Sequence, residues 1–255
     1  MQIQMHRSRH FSQGGEDGAV AFLLARLGNR VRLSRFFVEF GAWDGIHLSN
    51  TYALAKLHHF SGLYIEGDAE RFKQLQGNFA DHKNIGCVNK YVEIDGRNSL
   101  QNLFDEYKVP IDFDFLSIDI DGNDYQVWRS LIDHKPKIVV IEMNIRVKPG
   151  IFEVNDPESA FEWGISGSSI SSLCALASNK GYALISCVGC NAIYIRCDLL
   201  LHLRLAPINE YHSFTYEGHR LSELTFSEKI KKIAYRCVRG QLIVKKITSL
   251  EDKKS

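Results

Sequence analysis

A chain of 255 residues that is 45% hydrophobic and 24% charged can bury one large α/β core and is not a disordered polymer. With 31 basic against 30 acidic residues, no global field draws it to nucleic acid, and no such partner is expected. No run approaches a membrane span and the first ten residues lack an apolar signal core, so the expected location is cytoplasmic. Its six cysteines lie mostly in apolar stretches, which suits buried thiols in a reducing compartment. Cys187 and Cys190, the close pair, read as core cysteines around a turn or as half of a metal or redox site.

Residues 16–27 carry Ala19, Val20, Leu23, Leu24 and Leu27 on one face and meet Gly28-Asn29, which predicts a helix ahead of the first strand. Strand-like runs recur at 36–40, 62–65, 86–94, 113–118 and 138–141, alternating with helical spacing at 51–59, 69–79, 99–108 and 124–133. Ser49 or Asn50 is placed to cap the first of these helices and Asp68 the second. Such alternation predicts a parallel sheet with right-handed crossovers.

After a loop containing Pro149, Gly150 and Pro157, a helix over 170–179 and a hairpin of 183–187 with 192–196 complete the pattern. The expected fold is a Rossmann-like three-layer α/β sandwich over residues 1–200, its seven-stranded, mostly parallel sheet closed by a C-terminal antiparallel hairpin strand. Residues 201–255 read as an extension packed on the same domain, with a helix over 221–240 that carries Lys229, Lys231, Lys232, Arg236 and Arg239. A basic amphipathic helix is either a solvated face or a peripheral contact with acidic membrane headgroups.

The chemistry concentrates in Phe37-Val38-Glu39-Phe40-Gly41-Ala42-Trp43-Asp44-Gly45 and in Gly62-Leu63-Tyr64-Ile65-Glu66-Gly67-Asp68. Gly41 and Gly45 can take positive φ and let backbone approach a ligand, while an acid ending the next strand can accept hydrogen bonds from both ribose hydroxyls. An adenosine-type cofactor is therefore expected. This pair alone does not separate a methyl donor from a dinucleotide, so an NAD-dependent oxidoreductase and a catalytically silent binding or scaffold protein stand as alternatives.

Other polar residues end the remaining strands: Asp95 with Gly96, Asp119 to Asp124, and Glu142 with Asn144. Asp119, Asp121 and Asp124 on one turn can supply a base of raised pKa, oxygen ligands to Mg²⁺, or a cap for the next helix. His47 follows the glycine turn as a base or donor toward an acceptor, or as a plain loop histidine. The loop 152–169, with Trp163, is long enough to cover an acceptor.

Taken together, Ser12-Gln13-Gly14-Gly15-Glu16-Asp17-Gly18, Val38 to Gly45, His47 to Thr51, Ile65 to Asp68, Ser117 to Gly122 and Val140 to Asn144 resemble the seven-stranded S-adenosylmethionine-dependent methyltransferases. Within them the chain is similar to the FkbM-type branch, over about residues 10–200. The resemblance implies methyl transfer from S-adenosylmethionine to a hydroxyl of a small molecule or glycan precursor. It implies that Glu39, Gly41, Ala42, Trp43, Asp44 and Gly45 surround the methionine and ribose, that Glu66 and Gly67 meet the ribose hydroxyls, and that Asp95 lies near the adenine. Asp119 is then placed at the cofactor, and Asp119, Asp121 and His47 are the catalytic candidates. Two positions depart from the family pattern: Trp43-Asp44 replaces its usual glycine, and Asp121 stands where the branch commonly has Glu.

Overall fold

Apolar strands alternate with helices in a computed structural model that describes residues 11–120, 122–158 and 166–213, and the backbone of 234–238 and 241–245. Strands β1 (Phe36–Phe40), β2 (Ser61–Glu66), β3 (Ile85–Asn89), β4 (Phe115–Ile118), β5 (Ile138–Glu142), β6 (Tyr182–Val188) and β7 (Asn191–Arg196) form one sheet in the order β3-β2-β1-β4-β5-β7-β6. The first five run parallel, and β7 is antiparallel to both β5 and β6. This is the expected seven-stranded Rossmann-like sheet with its C-terminal hairpin.

Helices cover both faces, which is why the central strands read as continuous apolar runs. On one face, Val38 and Phe40 of β1 and Val139 and Ile141 of β5 pack against α4 (Leu100–Glu106), α5 (Asp124–Ser130) and α6 (Ile170–Asn179). On the other, Phe37, Phe115, Ile138 and Val140 meet α1 (Glu16–Gly28), α2 (Tyr52–Lys56) and α3 (Ala69–Asn78). Asp68 caps α3 as expected, its Oδ1 accepting from the amides of Glu70 and Arg71. No helix among the described residues is long and apolar enough to cross a membrane.

Several boundaries differ from the sequence pattern. Strand β3 stops at Asn89 rather than Ile94 because residues 93–99 close on themselves: Glu93 N donates to Asn98 O, Ser99 N donates to Gly96 O, and Gly96 takes φ 80°. Strand β4 begins at Phe115 because Asp114 turns its carboxylate to the amides of Ser34 and Arg35. Helix α5 ends at Ser130, where Leu131 is extended and its carbonyl accepts from Lys180 Nζ.

The helix expected over 221–240 is not what its last part forms. Ala234–Val238 (β8) pairs antiparallel with Gln241–Lys245 (β9). Tyr235, Val238, Ile243 and Val244 are residue types that favour extended backbone, and that local preference overrides the helical count of apolar residues. Lys229, Lys231, Lys232 and Arg239 lie outside the described residues.

The amino-terminal edge of the sheet is tied by charge. Lys137 Nζ lies 3.0 Å from Asp114 Oδ1 and 3.1 Å from Asp112 Oδ2, and Arg196 joins Asp112 to Asp198. The Lys137 side chain is 3% exposed and that of Asp114 is 0% exposed. Breaking a buried pair by removing one partner leaves an uncompensated charge. Lys137→Met is therefore expected to cost about 3–5 kcal/mol in urea unfolding.

Candidate active site

The chain leaves β1 toward β2 and β3, then returns to β4 on the other side, so the strand order reverses between β1 and β4. Ligand crevices of such sheets open at the carboxyl ends beside that reversal. Here Gly41, at φ 72°, sits where a Cβ would come 1.6 Å from the Asp119 carbonyl oxygen. Only glycine lets the ends of β1 and β4 approach so closely. The amides of Gly41 and Ala42 both donate to Ile65 O, which prolongs the bond to β2.

The loop then makes an unusual turn. Trp43 takes φ 50°, the left-handed region that favours glycine. For a residue with a Cβ this costs about 1–2 kcal/mol. Its amide donates to Glu66 Oε2 at 2.7 Å, and the Arg71 guanidinium stacks 4.3 Å from its ring centre. Asp44 Oδ1 accepts from the amides of Ile46 and His47, and a Cβ on Gly45 would strike Phe79 and Leu75.

Glu66, 5% exposed, bridges two loops, because its Oε1 also accepts from the Asp68 amide at 2.8 Å. Beside it, Asn89 Nδ2 donates to the carbonyls of Glu66 and Gly67. The Tyr91 ring lies against Gly67, where a Cβ would come 2.3 Å from it, yet Tyr91 is 70% exposed. Asn89 and Tyr91 escaped the sequence reading because the strand was drawn through both. The asparagine ending the apolar run Ile85 to Val88 was the available signal.

Glu39 lies deeper. Its carboxylate accepts from Ser49 Oγ at 2.7 Å, Asn50 N at 2.9 Å and Thr51 Oγ1 at 2.5 Å. Thr51 Oγ1 is also 3.0 Å from the Tyr64 hydroxyl, and Asn50 Nδ2 donates to Ser117 Oγ. Burial pushes the Glu39 carboxyl above its ordinary value, while these hydrogen bonds pull it down. Burial, and then the charge of Glu39, hold the Tyr64 phenol well above its own.

Asp119 is half-buried at the end of β4, and Glu142 is half-buried at the end of β5. Asp124 holds the loop between β4 and α5 by accepting from the amides of Ile120 and Gly122, each at 2.9 Å. Asn144 Oδ1 accepts from Arg146 N, and Asn144 N donates to Ser168 O.

The segment before α1 closes this side. Ser12 bridges to Leu48, and its hydroxyl donates to Asp17 Oδ1. Glu16 accepts from Gly14 N and from Asn191 Nδ2. Burial, with the carboxylates of Glu142, Asp119 and Glu16, pushes the Cys190 thiol up to about 12. Cys190 is half-buried in the hairpin turn, whereas Cys187 is buried in β6.

The structure thus gathers Gly41, Trp43, Glu66 and Gly67 about one crevice, with Asp119 against Gly41. Asp95 is exposed in the turn beyond β3. His47 is exposed, with its ring edge-on to Trp43 at 5.3 Å. Asp121, Trp163 and Gly164 lie outside the described residues. Among the described residues, no group of three or more His, Cys, Asp or Glu is placed to hold a metal ion.

Glu39→Gln keeps an oxygen for the Asn50 amide and is expected to change stability by less than about 1 kcal/mol. Glu39→Ala leaves buried donors without an acceptor and is expected to cost about 2–3 kcal/mol, both read from urea unfolding.

No protein-family model matches the chain, and a search of curated proteins returned no match. Among solved structures it is similar to the N-terminal domain of EvdMO1 with SAH bound, at 16% identity and TM-score 0.44 over 72% of this chain and 80% of that one. It is similar to the CMeT domain of the citrinin polyketide synthase at 10% identity and TM-score 0.45, over 72% of this chain and 52% of that one. M. capricolum TrmK in complex with S-adenosylhomocysteine is similar at 12% identity and TM-score 0.39, over 68% of this chain and 66% of that one. Likeness at this level assigns no residue a role.

Proposed function

We propose that the protein transfers a methyl group from S-adenosylmethionine to a hydroxyl of a small molecule or glycan precursor, using the crevice at the carboxyl ends of β1, β2 and β4. Glu66 carries this reading. An ionised carboxylate offers about four acceptor directions. The Trp43 and Asp68 amides take one on each oxygen, and what remains suits a vicinal diol such as a ribose.

The neighbouring residues fit the rest of an adenosyl group. Gly41 lets the floor of the crevice form without a side chain, and the exposed Tyr91 ring over Gly67 offers a flat apolar face beside Glu66. When bound, the cofactor supplies an electrophilic methyl on a sulfonium. In-line displacement then needs alignment and exclusion of water more than covalent help. The turn of Gly41 to Gly45, stiffened by Glu66 and by the Trp43–Arg71 stack, supplies that alignment.

Asp119, at the end of β4, is assigned to take the proton of the acceptor hydroxyl at its carboxylate. His47, exposed and edge-on to Trp43 beside the same turn, is the second candidate for that base. The choice of an oxygen acceptor rests on the resemblance to the FkbM-type branch, while the stretches Asp119 to Gly122 and Glu142 to Asn144 favour a methyl donor over a dinucleotide.

Calorimetry with S-adenosylhomocysteine tests the proposal. Saturable binding is expected, with none to NAD. Glu66→Gln should weaken binding by about 10- to 100-fold, since hydrogen bonds to a charged group contribute about 1.5–3 kcal/mol. Binding to NAD in place of S-adenosylhomocysteine overturns it.

A further inference from the structure

The strap that follows β5, residues 145–155, is fastened from beneath. Gly150 N donates to Ser171 Oγ at 2.7 Å and to Glu210 Oε1 at 3.2 Å, Glu153 N donates to Ser169 Oγ, and Ser169 N donates back to Glu153 O. Asn155 ends it. Its backbone amide donates to Ser168 Oγ, its Nδ2 donates to Asn123 Oδ1, its Oδ1 accepts from Gly167 N and its carbonyl accepts from Gln126 Nε2. The apolar side chains of the strap are left uncovered: Ile151 is 49% exposed, Phe152 56% and Val154 42%, with Ile145 at 37% where the strap leaves β5. Apolar side chains clustered on a backbone tied this firmly mark a surface built to be covered.

Position in the fold says what covers it. Asn123 and Gln126 lie at the start of α5, so the strap runs from the carboxyl end of β5 to the loop after β4, at the crevice end of the sheet. In the proposed reaction the cofactor occupies the ends of β1 and β2 about Glu66, and the acceptor hydroxyl lies at Asp119. Asp119 follows Ile118, the register partner of Ile141, so β5 is the next strand outward from the cofactor and the strap begins at its end. An acceptor that reaches Asp119 from the side away from the cofactor lies across the end of β5 and the strap. A membrane surface suits the strap less well: Arg146 and Lys148 stand against Glu153, Asp156 and Glu158, all exposed, and no excess of positive charge is offered to anionic headgroups.

We propose that the acceptor is an amphiphile: its hydroxyl end enters the crevice while an aliphatic or aryl segment lies on Ile151, Phe152 and Val154, which act as specificity-determining residues. The inference rests on the methyl-transfer reading and narrows its acceptor to hydroxyl compounds that carry an apolar tail. Seating the tail removes apolar surface from water on both partners, and a strap already fixed by its hydrogen bonds loses little freedom in the process. No covalent step is added, since the tail is held and the hydroxyl reacts.

The test titrates the full chain, saturated with S-adenosylhomocysteine, with monomeric matched pairs: hexyl β-D-glucoside against methyl β-D-glucoside, and 4-butylphenol against phenol. The tailed member of at least one pair should bind about tenfold or more tightly, a gain that burial of a few methylene groups supplies. The double variant Ile151→Ser, Phe152→Ser changes exposed positions, so its urea unfolding should stay close to that of the unaltered protein while the tail preference falls to within about twofold. Equal affinities within both pairs, no binding by either tailed compound, or a preference that survives the double variant overturns the inference. Co-sedimentation with phosphatidylcholine–phosphatidylserine vesicles, or a dimer in sedimentation equilibrium, that the double variant abolishes while neither pair shows a preference also overturns it, in favour of a membrane or of a second copy of the chain. Failure of the unaltered protein to bind S-adenosylhomocysteine counts against the methyl-transfer reading, whereas equal affinities in protein that does bind it count against the strap alone.

Discussion

One carboxylate holds the candidate crevice together. Glu66 ends β2, and through the amides of Trp43 and Asp68 it joins the turn after β1 to the turn that starts α3. The left-handed conformation of Trp43 survives because that amide bond and the Arg71 stack offset its steric cost. From there the rest is constrained: Asp44 closes the next turn, Gly45 packs on Leu75 and Phe79 of the α3 region, and Asp68 caps α3. A ligand bound at Glu66 thus meets a frame already set by backbone geometry.

The two acidic residues of the opening motifs divide the work by depth. Glu39 is level with Tyr64 in the β1–β2 register, whereas Glu66 stands two residues further along the same face, about 6–7 Å nearer the crevice mouth. Glu39 is accordingly surrounded by donors from residues 49–51 and acts as a positioning residue for that segment. Glu66 keeps acceptor capacity at the lip. A similar split separates the aspartates after β4: Asp124 holds the loop, while Asp119 stays at the strand end beside Gly41.

The sheet was legible because its strands are covered on both faces and read as unbroken apolar runs between glycine and acidic turns. Helix starts were legible where a side chain makes the cap, as at Asp68 and Ser169. The end of β3 was not, since Val92 and Ile94 continue the apolar pattern while the Glu93–Asn98 turn removes them from the ladder, leaving Asp95 exposed. The contact between Glu16 and Asn191 joins residues 175 apart, and no spacing rule announces it. Trp43 is the instructive case, because its identity argued against a tight glycine-like turn, and Glu66 imposes that turn on it nonetheless.

In the proposed function, Glu66 and the turns it joins form the seat of the cofactor. Titration of isotope-labelled protein with S-adenosylhomocysteine, followed by backbone amide resonances, tests it most directly. The account predicts that the amides of Gly41, Trp43, Gly67 and Asp68 shift together, along with the Trp43 indole, while those of Asp114 and Lys137 at the opposite edge of the sheet stay still. Shifts confined to the Asp114–Lys137 edge, with Trp43 and Gly67 unmoved, would contradict it.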